Sequence, residues 1–167
     1  MEIKHGDYVV HPTFGIGCVE SIEDREIGEE GRRTFYRIGF VKMTVWVPVQ
    51  HSKDGRLRPV TPLKDLGRYS ALLKGSPGAL DNDFRQRQIE LENRLKPGTF
   101  QALCEVVRDL SARSWRKSLS SFDAAILKRT RGFLIQEWAA TSGKSLEQAN
   151  IEVESYLAEG KQKLAKS

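Results

Sequence analysis

The chain has 167 residues, 39% of them hydrophobic and 29% charged, with a formal net charge of +5. That composition excludes a disordered or fibrous protein, and the length allows one medium domain or two small ones. No run approaches the roughly 18 apolar residues of a membrane span; Met1-Glu2-Ile3-Lys4-His5-Gly6 also lacks a signal peptide's apolar core, so a cytoplasmic protein without membrane contact is expected.

The first sixty residues read as β structure. Tyr8-Val9-Val10-His11 is a short β-prone run, stopped by the turn cluster Pro12-Thr13-Phe14-Gly15. Residues 16–23 alternate apolar and polar, as a half-buried strand does. The acidic stretch 28–31 is a loop. Further strands are predicted over 34–40 and 44–49, and a last one over 57–60. Five short strands with tight turns suggest a small barrel or a strongly bent sheet.

The pattern changes at Thr61-Pro62, a favourable N-cap followed by a favourable first helical residue. A helix is expected to about Lys74, ended by Gly75-Ser76-Pro77-Gly78, and a domain boundary is placed near residues 60–68. Asp81, Asn82 or Asp83 caps a second helix through Leu95. The third starts at Thr99 and carries the apolar stripe Phe100, Leu103, Cys104, Val107 and Leu110. Ser120-Ser121-Phe122-Asp123 resembles a capping box, with Asp for Glu. It opens a helix whose apolar residues are Phe122, Ile126, Leu127, Leu134 and Trp138. Ser145 opens the last helix, with Ile151 and Leu157 as core contacts, and the tail from Glu159 to Ser167 is expected to fray.

No catalytic pattern emerges. His5, His11 and His51 stand beside no nucleophile or carboxylate pair, and no phosphate loop or metal-protease motif occurs. Cys18 and Cys104 form neither a disulfide framework nor a zinc site, so no metal, cofactor or enzymatic activity is expected. Charge placement is more informative. Residues 84–131 hold 11 basic and 5 acidic side chains, whereas residues 1–68 hold 11 and 10. The excess in the middle of the chain is a modest footprint for a polyanion, though a solvated helical face carries the same pattern.

Individual residues stay open at this level. Arg25 sits among Glu23, Asp24 and Glu26, where neighbours can pair with it. Trp46 lies among valines, and alternation does not decide whether it faces core or solvent. Phe84 starts a helix beside Arg85 and Arg87; it fits a core anchor better than a wedge against nucleic acid. Lys128, Arg129 and Arg131 can contact phosphates or simply face water. Trp115 stands near a helix end beside Arg113, Arg116 and Lys117, and Trp138 continues an apolar stripe.

The run Gly6-Asp7-Tyr8-Val9-Val10-His11-Pro12-Thr13-Phe14-Gly15-Ile16-Gly17 resembles the opening of CarD-type bacterial transcription regulators. The same module is similar to the polymerase-interacting domain of transcription-repair coupling factors. Thr44-Val45-Trp46-Val47-Pro48-Val49 resembles a later strand of the family. Glu105-Val106-Val107-Arg108-Asp109-Leu110 and Leu127-Lys128-Arg129-Thr130-Arg131 resemble stretches of its helical part. The resemblance covers most of the chain in the right order; the N-terminal pattern is its most specific portion.

The resemblance implies an α+β protein. A Tudor/SH3-like β-barrel over residues 1–66 would pair strands edge to edge with the β subunit of bacterial RNA polymerase. About five helices over residues 67–167 would reach the upstream edge of the melted promoter bubble, where a family tryptophan enters the minor groove. Arg25 matches a polymerase-contacting arginine, and Trp46 falls where some relatives have another. Phe84 falls at the wedge tryptophan, keeping an apolar ring without the indole N–H. Arg87 and Arg129 match basic positions; Arg85, Lys128 and Arg131 are added from charge and spacing. The expected partners are polymerase and promoter DNA, with the protein acting as a monomer. The alternatives are an adaptor on polymerase without DNA engagement, and a small RNA-binding barrel.

Overall fold

The computed structural model describes residues 2–51 and 57–166, apart from the side chain of His51; Met1 and Ser167, at the ends of two sequence readings, lie outside the described residues. The chain divides into two compact units, residues 1–60 and 61–167.

The first unit is a five-stranded antiparallel sheet. Its strands are β1 (Tyr8–His11), β2 (Gly15–Glu26), β3 (Arg32–Phe40), β4 (Thr44–Pro48) and β5 (Arg58–Pro59), ordered β4-β3-β2-β1-β5. A single helical turn, α1 (Val49–His51), follows β4. The inward faces carry Val9, Val19, Tyr36, Ile38 and Val47, joined by Ile3 and Leu57 in one buried cluster. Period-two alternation was therefore the right signal. Gly17 is demanded by packing: a Cβ there would lie 2.6 Å from Ile38 Cγ2 and 2.8 Å from the Phe40 ring. A bulge between Val19 and Ser21 shifts the register of β2 against β3. It returns the following residues to a consistent outward alternation, which matters for the site below.

The second unit holds five helices: α2 (Leu66–Lys74), α3 (Phe84–Leu95), α4 (Phe100–Ser114), α5 (Ser121–Ser142) and α6 (Leu146–Lys166). Asp83 caps α3 by accepting from Gln86 N, and Thr99 caps α4 by accepting from Ala102 N. The stripe Phe100, Leu103, Cys104, Val107 and Leu110 is buried as its spacing predicts. Two apolar clusters form. The larger joins α2, α4, α5 and α6 around Trp138, Leu73, Leu134 and Val153. The smaller seats α3 on α4 and α5 through Leu91, Val106 and Leu110, with Phe122 and Ile126 at its margin.

Four local expectations are corrected. Thr61 caps no helix. Its N–H and hydroxyl both donate to buried Glu137 Oε2, at 3.0 and 2.6 Å, and α2 begins later, after a 3-10 turn at Leu63–Asp65. The Ser120 box is half formed: Ser120 accepts from Asp123 N, while the Asp123 carboxylate turns inward. Ile151 is 61% exposed; α6 packs instead through Ala149, Val153, Leu157 and Gly160. Small residues let the helix approach closely, since a Cβ on Gly160 would sit 3.1 Å from the Lys74 carbonyl oxygen. That contact lies inside the segment expected to fray, and α6 continues to Lys166.

Candidate functional site

Two surface constellations stand out, one in each unit. In the sheet, the register pairs Arg37 with Trp46, Ser21 with Arg37, and Glu23 with Phe35. Those residues share the face opposite the buried Tyr36, Ile38 and Val47. Trp46 looks outward and is 38% exposed. Its indole N–H donates to Glu23 Oε2 at 3.0 Å. The Arg25 guanidinium lies over the ring at 4.7 Å, and that of Arg37 stands 5.9 Å from the same ring. Arg37 also pairs with Glu20 at 3.2 Å. The Trp46 N–H first, then the Ser21 hydroxyl, holds the Glu23 carboxyl below its ordinary range.

Arg25 thus does not pair with its acidic neighbours, as local sequence suggested it could. Among the described residues it has no ion pair; it stacks on Trp46 instead. The result is an exposed aromatic on the edge strand β4 with two guanidiniums over its ring. Such an arrangement suits recognition of another protein: the ring is pre-positioned, and the edge strand can accept a partner strand. Sequence reasoning missed Arg37. Counting back across the short β3–β4 turn, Gly39 opposite Thr44 puts Arg37 opposite Trp46.

In the helical unit, Phe84 is the first residue of α3 and is 47% exposed, against the expectation of a core anchor. Its ring meets Phe122 edge-on, with centroids 6.2 Å apart. Below it, Arg87 is only 4% exposed. Its Nε donates to Asp123 Oδ2 at 2.9 Å, and its Nη1 donates to the carbonyls of Asp81 and Asn82 at 3.0 and 3.2 Å. Arg87 is therefore corrected from a surface cation to an internal brace under the Phe84 end of α3. Arg85 is exposed and has no hydrogen bond or ion pair among the described residues.

The three cations of α5 do not act as a group. At 3.6 residues per turn, Phe122, Ile126 and Arg129 lie on one stripe, within about 60° of each other. Arg129 is exposed there, its guanidinium 5.4 Å from the Phe133 ring. Lys128 is exposed about 120° round the helix from Phe122. Arg131 falls on the opposite side, where it binds Glu154 at 2.6 Å and Asn150 at 3.0 Å of α6. Arg131 is thus partnered on α6, although that pair lies at the surface, with the Glu154 side chain 63% exposed. Arg85, Lys128 and Arg129 are exposed, as Phe84 is.

Comparison with known proteins gives this arrangement a context. Residues 3–61 match the CarD-like/TRCF RID domain, and residues 69–154 match the CarD C-terminal domain. A relative in Bacillus subtilis (strain 168), YdeB, bears the provisional name of a transcription factor. It is 30% identical over 139 residues, covering 83% of this chain and 91% of that protein. With both domains matched in order along most of its length, the chain belongs to the CarD-like family of transcription factors.

Proposed function

We propose that the protein is a non-enzymatic transcription regulator. It binds the β subunit of bacterial RNA polymerase through β4 and the Arg25–Trp46 face. It stabilises the open promoter complex through contacts of its helical unit at the upstream edge of the bubble, without reading sequence. Phe84 is the wedge; Arg85, Lys128 and Arg129 contact phosphates; Arg87 positions rather than touches. The protein acts as a monomer. The observation that carries this is Phe84 itself, an exposed ring on a helix start that Arg87, Asp123 and Phe122 hold in place. A fixed apolar ring next to cations is what unstacking one base step and holding the flanking backbone require.

The test uses the full-length protein with polymerase from the same bacterium. Arg25→Glu is expected to weaken binding to the β subunit by at least about tenfold, as loss of a central interface arginine does. Phe84→Ala should leave that affinity unchanged and shorten open-complex lifetime about tenfold, equivalent to part of the cost of unstacking one step. Unchanged polymerase binding by the first variant removes Arg25 from the interface, and an unchanged lifetime with the second removes the wedge.

The second reading, an adaptor on polymerase that leaves DNA untouched, draws on the burial of Arg87 and the pairing of Arg131 with Glu154. Salt separates the two: phosphate contacts weaken steeply as salt rises, an apolar contact does not.

A further inference from the structure

The basic residues around Trp115 take no part in the surfaces above, yet three of them line a groove of the helical unit. The groove has a volume of about 510 Å³. One wall is the loop 77–82 that leads into the Asp83 cap and Phe84; the other is the end of α4 and the residues after it, with Arg113, Arg116 and Lys117. Lys161 of α6 stands 5.6 Å from the Trp115 ring beside them.

The charge of this groove is not offset. Many cations of the same unit are paired with carboxylates: Arg87 with Asp123, Arg94 and Arg108 with Asp109, Arg131 with Glu154, Lys144 with Glu152. Arg113, Arg116 and Lys117 have no carboxylate within ion-pair distance among the described residues. Among the lining residues the acid is Asp109, and its carboxylate is 2% exposed; Asp81, in the same loop, does not line the groove. Asp109 is neutralised by Arg94 at 2.8 Å and Arg108 at 2.9 Å, and it accepts from Gly78 N at 2.8 Å. Its bonds pin the loop over α4 and leave the groove with three uncompensated positive charges. An open cleft of that kind attracts a polyanion rather than an apolar peptide.

We infer that this groove seats the phosphodiester backbone of the DNA strand running on from Phe84, with Arg113, Arg116 and Lys117 as its phosphate contacts. The inference rests on the DNA engagement proposed above, and it extends the interface from the start of α3 to the end of α4. The contacts carry no base specificity, because cations on a backbone groove position a strand without reading it.

The experiment measures binding of the full-length protein to a synthetic duplex containing an unpaired bubble, by fluorescence anisotropy across a salt series. The variants are Phe84→Ala, the triple variant R113A/R116A/K117A and the single Arg116→Ala. Each phosphate contact contributes a slope of roughly 0.7 to 0.9 in log K against log salt. The triple variant is expected to lower the slope by about two units, and Arg116→Ala by slightly under one. Should the triple variant fail to fold, Arg116→Ala alone decides the matter, since that side chain is exposed. An unchanged slope, with Phe84→Ala still weakening binding, overturns the groove and leaves the wedge standing. A reduced slope with Phe84→Ala silent does the reverse. No binding by the unaltered protein overturns both.

Discussion

Replacing Asp123 with alanine is expected to destabilise the helical unit by about 3–5 kcal/mol, the cost of leaving a buried charge without its partner. The pair is well shielded: the Arg87 and Asp123 side chains are 5% and 1% exposed, and their bond is 2.9 Å. The substitution keeps the Ser120 cap, because that bond uses the backbone N–H of residue 123. The loss therefore reports the ion pair rather than the helix start. Asp123 Oδ1 has no hydrogen-bond partner, so the pair is incompletely satisfied. Replacing both partners by apolar residues, as in Arg87→Met with Asp123→Leu, should consequently cost less than Asp123→Ala alone. Urea unfolding of the full-length protein, followed by circular dichroism, measures both. A cost under about 1 kcal/mol for the single variant, the level of an exposed pair, would show that the carboxylate does not brace α3. The functional corollary follows from the Arg87 bonds to Asp81 and Asn82. Without the brace, the loop before Phe84 loses two of its anchors, and a ring that must enter a base step is no longer presented at a fixed angle.

What the sequence disclosed and what it hid differ by the range of the interactions involved. Strands and helices were legible because their signals are local: alternation in β2, the Phe100–Leu110 stripe in α4, and caps at Asp83, Thr99 and Ser120. Partnership of charges was not. Arg87, Lys128, Arg129 and Arg131 look alike as letters, yet Arg87 finds Asp123 36 residues away and Arg131 finds Glu154 23 residues away. Only the tertiary fold decides which cation remains for a ligand. Trp46 was ambiguous because valines flank it on both sides, and its outward turn depends on pairing with Arg37. Ile151 misled for the opposite reason. A large apolar residue looked like core, while the close approach of α6 to α2 is made at Gly160, whose smallness carries no hydropathy signal. Phe84 combines both effects: its ring is half supported by Phe122 and half offered to solvent, a state that periodicity cannot represent.

Trp138→Ala should cost about 3–5 kcal/mol, the range for truncating a buried aromatic. Trp138 is 1% exposed and heads the fully buried side chains by volume. It lies 6.2 Å from the Phe100 ring and 5.8 Å from that of Tyr156. In a unit of this size, a loss of 1 kcal/mol lowers the melting temperature by roughly 4–8 °C, so a drop of about 15 °C or more is expected. The larger cluster around Trp138 and the cluster of the sheet share no residue. The sheet transition should therefore stay in place while the helical one moves, giving two separate steps by calorimetry. A single step, shifted as a whole, would show that the units do not unfold independently. Tyr156 supplies a local readout. Burial first, then its hydrogen bond to Glu152 at 2.7 Å, pushes its phenol up to about 12. Opening the Trp138 site to water should bring that value back toward about 10, visible in an absorbance titration. Between the two melting temperatures the variant should still bind polymerase through the intact sheet while failing to prolong the open complex. Loss of both properties together would mean that the Arg25–Trp46 face needs a folded helical unit, and that polymerase binding and promoter engagement are not separable parts of this chain.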